Sequence, residues 1–249
     1  MRGVDIEPLT TTSPREPRPV VLRQGWGDVA FLHWAVDPGA VAPLLPPGTR
    51  PDLLADRTFV GLVALRMQRT APLGGPPLPW VGTFGQVNVR LYSVDDEGRR
   101  GVVFLSMDAD RLPPVVAGRA LGLPYRWAHV RLGDVGDRYA YRAERHRSPG
   151  HLRLELRPGP PRQPDATERF VTARWALHAR SIGRVDVAHE PWQLHRADLL
   201  VCDTDLPALA GLRLVDEQPV SILWSPGMRD ARIGRSVRRA RSGPDEVRE

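Results

Sequence analysis

Hydrophobic and polar residues alternate along most of the chain between residues 28 and 224. A period of two is typical of β-strands, in which successive side chains point to opposite faces of a sheet. The pattern therefore predicts a chain that is built mainly from strands. The predicted strands are residues 28–36, 59–67, 84–94, 102–109, 125–132, 138–144, 152–156, 174–179, 185–189, 199–203 and 220–224.

Helical signals are few and short. They predict helices over residues 41–45, 113–121 and 165–171. Pro113 suits a first helical turn, Gly122 suits a C-terminal stop, and Asp165 stands at the start of the third segment. Many strands with two or three short helices indicate an α+β fold that is mainly antiparallel β. A curled or closed antiparallel sheet accommodates this many strands.

The two ends of the chain differ in composition from its middle. Residues 1–19 are rich in proline and threonine, which predicts a disordered leader. Residues 226–249 are rich in arginine and predict a disordered tail. Residues 20–225 contain no internal repeat and no linker, so we expect a single domain there.

All 35 basic residues are arginines, and the chain contains no lysine. Amine chemistry through a lysine side chain is therefore excluded. The net charge is +6, and six arginines lie between positions 229 and 241, so the remainder is close to neutral. This mixed surface disfavours nucleic acid as a partner, although binding through the arginine-rich tail stays open. We expect a small-molecule partner, with homo-oligomers as an open alternative.

Cys202 is the single cysteine, so the chain can form no intramolecular disulfide and no thiolate metal cluster. It follows an apolar run, which predicts a buried thiol. The histidines show no metal-binding spacing, and no glycine-rich phosphate loop is present. We therefore expect neither a metal nor a cofactor. No signal sequence or membrane-length apolar stretch appears, which predicts a cytoplasmic protein.

A series of short motifs runs through the folded part of the chain. Its members are Phe31-Leu32-His33-Trp34, Leu44-Leu45-Pro46, Gly61-Leu62-Val63, Asn88-Val89-Arg90, Ser106-Met107-Asp108-Ala109, Leu123-Pro124-Tyr125, Glu168-Arg169-Phe170 and His189-Glu190-Pro191-Trp192. In this order, over residues 24–224, they resemble the YqjF-like family of bacterial proteins of unknown function. That family belongs with the acetoacetate decarboxylase-like superfamily.

The resemblance implies a cone-shaped antiparallel β-barrel with a ligand cavity and a few flanking short helices. The founding enzyme of the superfamily forms an imine through a lysine that follows a Gly-x-Pro turn. Here the similar turn, Gly122-Leu123-Pro124, is followed by Tyr125. A glutamate that the resemblance places one strand earlier appears as Gln86. Both departures argue against decarboxylation through an imine.

The predicted strand over residues 84–94 has two distinct faces. Val87 and Val89 point one way, and Gln86, Asn88 and Arg90 point the other. The polar face is either solvated or, if the resemblance holds, lines the barrel interior and binds a carbonyl or carboxylate group. Whether residues 106 and 108 of the next strand join it depends on the hairpin register, which the sequence leaves open.

Further candidates lie on neighbouring segments. Tyr125 is a candidate general acid or base if Arg126 or another cation lowers its pKa, and otherwise packs as an aromatic residue. His189 is a candidate proton carrier or a structural histidine. Arg66 and Arg126 are candidate anchors for an acidic substrate, with a rim salt bridge as the alternative for Arg66. Trp192 completes the predicted substrate-binding set.

These residues support two functional hypotheses. The first is an enzyme that acts on a carbonyl or carboxylate compound by non-covalent acid/base and electrostatic catalysis, as an isomerase, dehydratase, aldol-type lyase or cyclase. The second is a non-catalytic small-molecule binding protein of the same fold. A cavity with convergent polar groups would favour the enzyme.

Overall fold

The computed structural model describes residues 4–214 and 218–237. Every predicted strand overlaps an observed one. The strands are β1 Val20–Val36, β2 Thr49–Pro51, β3 Thr58–Pro72, β4 Phe84–Asp95, β5 Arg100–Ala109, β6 Tyr125–Val135, β7 Arg138–Arg145, β8 His151–Pro161, β9 Ala176–Ala179, β10 Gly183–Ala188, β11 His195–Thr204 and β12 Ser221–Val237. The mainly antiparallel fold with a few short helices is confirmed.

The helices are short. Two of them start within one residue of the predicted bounds, the first predicted helix begins earlier than expected, and the last helix was not predicted. They are α1 Pro38–Val41, α2 Leu112–Ala120, α3 Ala166–Thr172 and α4 Leu206–Leu209, with a 3-10 turn at Ala42–Leu44 after α1. The best-defined start is that of α3. Asp165 accepts a hydrogen bond from the Glu168 amide, and the Glu168 carboxylate accepts one from the Asp165 amide. This reciprocal cap satisfies two amides that a helix start leaves free.

All twelve described strands belong to one sheet, and that sheet closes on itself twice. One closed circuit runs through β5, β6, β7, β8, β11, β12, β1, β3 and β4, and we call it the core ring. A second circuit runs through β12, β1, β3, β4, β5, β9 and β10, and we call it the cavity ring. The strands β12, β1, β3, β4 and β5 are common to both rings and form a shared wall.

The two rings explain why the shared wall is apolar on both faces. Leu32, Leu62 and Val89 point into the core ring, which is filled by a hydrophobic cluster. Their neighbours Phe31 and Val63 point the other way, into the cavity ring. Both faces of these strands are covered. The sequences of the strands in the shared wall are therefore almost continuously apolar, with only occasional polar residues.

The β4–β5 hairpin settles the register that the sequence left open. Asn88 lies opposite Met107, and Val89 lies opposite Ser106. An irregularity then skips Leu105, so that Arg90 lies opposite Phe104. Ser106 therefore faces the core ring with Val89, as does Asp108, which lies opposite Val87 and is ion-paired to Arg145 at 2.6 Å. Neither residue shares a face with Gln86 and Asn88.

The C-terminal segment departs from the prediction. Residues 226–237 are not a tail but the second half of β12, which pairs with β1 and β10. Met228 and Ala231 are buried three residues apart because the pairing with β1 is irregular between them, and arginines occupy positions on either side. Arg238, Arg239 and Arg241 of the predicted tail lie outside the described residues.

Two further sequence-based expectations differ from the structure. Residues 4–19 contain no helix or strand, yet the Glu7 amide donates to the Gly98 carbonyl and Arg100 donates to the Glu7 carbonyl at 2.7 Å. Cys202 is exposed rather than buried, because the apolar run before it lies on β11, whose outer face is open. Within the described residues, no helix has the length and apolar character needed to cross a membrane.

Candidate functional site

A cavity of about 210 Å³ lies inside the cavity ring. Every strand of that ring contributes to its walls, and Tyr125, His189 and Trp192 complete the lining. The lining is mostly aliphatic and aromatic, with a small number of polar side chains. Such a composition is typical of small-molecule sites, in which a few polar groups orient a ligand.

The polar face of β4 points into this cavity. Gln86, Asn88 and Arg90 all line it, and Gln86 and Asn88 are almost fully buried. The solvated alternative for this face is therefore wrong. The physical reason is the second closure of the sheet, which covers a face that an open sheet would leave in water.

Tyr125 meets Gln86 across the cavity. The Tyr125 hydroxyl donates a hydrogen bond to Gln86 Oε1 at 3.3 Å. Tyr125 is the first residue of β6, and its ring packs against Gly118 of α2 so closely that a Cβ there would lie 2.1 Å from a ring carbon. The ring position therefore requires glycine at that point of the helix.

The protonation state of Tyr125 differs from the one that a base would need. Burial raises the pKa of Tyr125 to about 12. The condition for a general base, a cation that lowers this pKa, is not met, because Arg126 follows Tyr125 on the strand and is exposed on the other face. Tyr125 is therefore a neutral hydrogen-bond donor near neutral pH. Together with the Gln86 amide, it forms an uncharged polar pair.

Arginine side chains collect at one end of the cavity. Arg90 donates to the Tyr92 hydroxyl and to the Val171 carbonyl, each at 3.0 Å. Arg174 donates to the Phe170 carbonyl at 2.8 Å and pairs with the buried carboxylate of Asp52. Sequence reasoning missed Arg174, although a lone charge inside the apolar run of residues 170–177 is a signal that could have identified it.

Two polar atoms of this lining have no hydrogen-bond partner among the described residues. They are Asn88 Oδ1 and Arg174 Nη2, and both are buried. Most buried polar atoms in folded proteins are satisfied, and exceptions point to water, ions or ligands. Both atoms belong to residues that line the cavity, and the Arg174 guanidinium lies over the Phe170 and Tyr92 rings.

Aromatic rings surround His189 at another part of the lining. Its ring centroid lies 4.5 Å from that of Trp175, 5.2 Å from Trp192 and 5.4 Å from Trp26. His189 Nδ1 lies 2.6 Å from the Glu190 carbonyl oxygen, and since a carbonyl only accepts, Nδ1 carries the proton. Burial lowers the pKa of His189 to about 4. The ring is therefore neutral near neutral pH, with its lone pair on Nε2.

Two predicted binding residues lie elsewhere. Arg66 donates to Asp28 at 3.0 Å and to the Leu132 carbonyl at 3.2 Å, and it does not line the cavity. The strand period explains this, because Arg66 shares the face of Leu62 rather than that of Val63. Arg126 is excluded for the same reason. The alternative of a salt bridge at the rim is the one that applies to Arg66.

No group of three or more histidine, cysteine, aspartate or glutamate side chains in the described residues is arranged to hold a metal ion. The groups that line the cavity are instead a phenol, three amides, a threonine hydroxyl, two guanidinium groups and an imidazole. Such a set can bind and polarise an oxygen atom and can move a proton between two neutral groups.

Several solved structures share this fold, and two of them are described as enzymes. The acetoacetate decarboxylase of Legionella pneumophila matches with a TM-score of 0.58 and 15% identity, over 92% of each chain. The enduracididine biosynthesis enzyme MppR, complexed with pyruvate, matches with a TM-score of 0.54 and 18% identity, over 89% of this chain and 90% of that one. At these identities the likeness shows the fold alone.

The sequence comparisons are more specific. The uncharacterized protein YqjF of Bacillus subtilis (strain 168) is 26% identical over 208 residues, which cover 80% of this chain and 86% of that protein. The profile of DUF2071, an uncharacterized conserved protein family, matches residues 23–229. That span takes in the whole shared wall up to the middle of β12 and every residue of the cavity named above. The chain therefore belongs to the DUF2071 family and carries the acetoacetate decarboxylase-like fold.

Proposed function

We propose that this protein is an enzyme that acts on a small carbonyl or carboxylate compound by non-covalent acid/base and electrostatic catalysis. The observation that carries the proposal is the hydrogen bond between Tyr125 and Gln86 inside the cavity, beside the buried amide of Asn88. A neutral hydrogen-bonding pair in a largely apolar cavity is suited to an oxygen atom on which negative charge develops.

Covalent catalysis through an imine does not fit the chain. It has no lysine, and Tyr125 and Gln86 stand where the superfamily resemblance puts the lysine and the glutamate. Exchange of a charged pair for an uncharged one removes the nucleophile but keeps two hydrogen-bonding groups. A neighbour in fold, MppR, is known complexed with pyruvate, which supports a small oxo compound as ligand.

In the proposed step, the Tyr125 hydroxyl gives up its hydrogen bond to Gln86 Oε1 and donates to the substrate carbonyl oxygen instead. His189 Nε2 takes a proton from the carbon next to the carbonyl, and the electron pair of that C–H bond forms the C=C bond of an enol. The Tyr125 hydroxyl stabilises the negative charge that develops on the oxygen or transfers its proton to it. Isomerisation, dehydration, aldol-type cleavage and cyclisation can all proceed from such an intermediate.

Exchange of substrate protons with solvent tests this step directly. A set of 2-oxo acids is incubated with the protein in deuterated water, and nuclear magnetic resonance follows exchange at the carbon next to the carbonyl. Tyr125→Phe and His189→Gln should each lower the exchange rate by about 100-fold or more, the usual effect of removing a general acid or base. Tyr139→Phe, on β7 outside the cavity, is the matched control and should leave the rate unchanged.

The alternative is a non-catalytic small-molecule binding protein. The largely apolar lining and the absence of a lysine favour it. The two hypotheses separate in the same experiment. Ligands that bind tightly but exchange no faster than in buffer, for every oxo acid in the set, would support the binding protein and reject the enzyme.

A further inference from the structure

The strand β5 has one edge along which the sheet divides. On that edge, Val102 pairs with Leu177 of β9, whereas Met107 begins the pairing with Tyr125 of β6. In the part of the chain that the structure describes, no strand pairs with residues 103–106 on this edge. The core ring and the cavity ring therefore separate along these four residues, and the pair of Val102 with Leu177 is what joins β5 to β9.

A surface groove of about 170 Å³ lies over this division of the sheet. Val103 and Phe104 both line it, although consecutive residues of a strand point to opposite faces. The same holds for Leu177 and His178 of β9. A groove that touches both faces of two strands lies along their facing edges, which is where the backbone pairing is missing. We call it the edge groove.

Three side chains separate the edge groove from the cavity. Phe104, Leu123 and Leu177 line both spaces, and each is half-buried. They form a wall one side chain thick, and we call them the partition. Phe104 adjoins the irregularity at Leu105 and has no strand partner on its other edge among the described residues. Few backbone contacts therefore oppose movement of the partition.

The edge groove is suited to an apolar chain. Its wall beyond the partition includes Leu44, Pro46, Val103, Pro124 and Ala179. Two polar side chains of the wall are engaged with protein groups, since Arg180 donates to the Leu45 carbonyl at 3.2 Å and His178 Nδ1 lies 2.7 Å from the Ser93 hydroxyl. The groove therefore offers contact area to methylene groups rather than hydrogen bonds to a polar group.

The partition is within reach of a ligand whose polar group lies at the Gln86–Tyr125 pair. Tyr125 pairs with Met107, and Phe104 stands three residues before Met107 on the same strand. Three residues of a strand span about 10 Å. A linear ligand of that length, starting at the pair, reaches the partition, and the end of a longer one enters the edge groove.

We infer that the protein binds a carbonyl compound with a long unbranched apolar chain, and that this chain passes the partition and lies in the edge groove. The inference rests on the proposed function for the position of the carbonyl, whereas binding of the chain does not depend on catalysis. Continuity with the cavity through Phe104, Leu123 and Leu177 favours the ligand's own chain as the occupant. The edge groove is thus a chain-binding subsite.

A series of ketones from 2-pentanone to 2-dodecanone tests the subsite by calorimetry with the full-length protein. Affinity should rise by about fourfold per methylene along the whole series, because each methylene that leaves water contributes a similar free energy. A chain confined to a closed cavity stops gaining affinity once that cavity is full. Affinity that levels off or falls beyond 2-octanone would therefore overturn the inference.

A bulky side chain in the edge groove assigns the long-chain preference to it. Ala179 lines the edge groove but not the cavity. Ala179→Phe should lower the ratio of 2-dodecanone affinity to 2-pentanone affinity by about 10-fold or more, since the excluded chain loses several methylene contacts. Ala140→Phe, at a half-buried position on β7 outside both spaces, is the matched control and should retain the ratio.

A ratio that Ala179→Phe leaves unchanged would show that the chain lies elsewhere, and would overturn the inference. If this variant does not fold, the wild-type series still decides, because it needs no substitution.

The outcomes separate this inference from the proposed function. Linear alcohols from 1-pentanol to 1-dodecanol provide the comparison, because they carry the same chains without a carbonyl. If alcohols and ketones show the same dependence on chain length and the same loss in Ala179→Phe, with no proton exchange for any ketone or oxo acid, the enzyme is rejected and the subsite stands. Proton exchange together with affinities that do not depend on chain length would reject the subsite and leave the enzyme standing.

Discussion

The same strands of the shared wall pack into a filled core on one face and line a cavity on the other. On the core-ring face, Leu62 and Val89 are packed into a closed hydrophobic cluster, and the ion pair of Asp108 with Arg145 is complete. On the cavity-ring face, Asn88 and Arg174 keep unsatisfied atoms beside a void. Trp224 Nε1 in the core cluster also lacks a partner among the described residues, so unsatisfied atoms alone do not separate the faces. The first face is filled by apolar side chains, whereas the second borders a cavity of about 210 Å³, and that cavity indicates the site.

The largest expected effect is a loss of stability in acid, caused by buried histidines on the cavity side of the molecule. Three histidines of the described residues are buried. His33 is on the cavity-ring face of β1, His178 is on β9, and His189 lines the cavity just after β10. Burial lowers the pKa of each. For His178 and His189 the pKa falls from 6.5 to about 4. The unfolded chain therefore binds more protons than the folded one between these values, and stability falls as the pH drops through this window.

In this window, the free energy of unfolding should fall by about 1.4 kcal/mol per pH unit of acidification for each such histidine. Urea unfolding at a series of pH values measures it. His189→Gln should reduce the slope of the free energy of unfolding against pH by about the same amount. His151→Gln is the control, because the pKa of exposed His151 is raised through Asp203 and its contribution has the opposite sign. A slope that His189→Gln leaves unchanged would contradict the prediction.

The Asp52 carboxylate is the next most sensitive point of the cavity side. Asp52→Asn leaves the guanidinium groups of Arg100 and Arg174 without their shared anion, and should cost about 3–5 kcal/mol in the free energy of unfolding. Asp230→Asn removes a surface partner of Arg23 and should cost no more than about 1 kcal/mol. Denaturant titration compares the two variants, and equal losses would argue that the Asp52 cluster is not effectively buried.

A leucine-to-alanine substitution on each face of β3 compares the filled core ring with the wall of the cavity. Leu62→Ala, in the core ring, should cost about 2–5 kcal/mol, because it creates a cavity in a filled cluster. Leu65→Ala enlarges a void that already exists and removes fewer contacts, so it should cost at least about 1 kcal/mol less. Chemical denaturation of both variants tests the difference, and a larger loss for Leu65→Ala would refute the two-ring description.

The smallest expected change in stability comes from solvent-exposed arginines on neighbouring strands. Arg131, Arg142 and Arg153 lie directly opposite one another on β6, β7 and β8, and all three are exposed. Like charges in this register repel, so Arg142→Gln should raise stability by about 0.5 kcal/mol at low salt, with less gain at high salt. Arg157→Gln, which breaks a 2.6 Å pair with Asp137, should not raise it.

Much of this arrangement could be predicted from the sequence, and particular residues show why. Period two identified the strands and divided β4 into the face of Val89 and the face of Asn88, because side-chain alternation is a local property of extended backbone. The same rule shows that the neighbours Tyr125 and Arg126 cannot both face the cavity, whereas the face of Arg66 depended on how β3 pairs. The C-terminal half of β12 was missed because its arginines suggested a solvated tail and an irregularity in its pairing with β1 interrupts the period of two.

The sequence by itself determined the absence of a lysine, the faces of the strands and the family. The tertiary structure alone decided which face encloses a cavity, that an irregularity at Leu105 turns Ser106 away from it, and that Arg174 joins Arg90. These outcomes depend on how the sheet closes and on pairings between residues far apart in the chain. Such contacts have no local signature, since the same alternation of side chains is compatible with an open sheet, one ring or two.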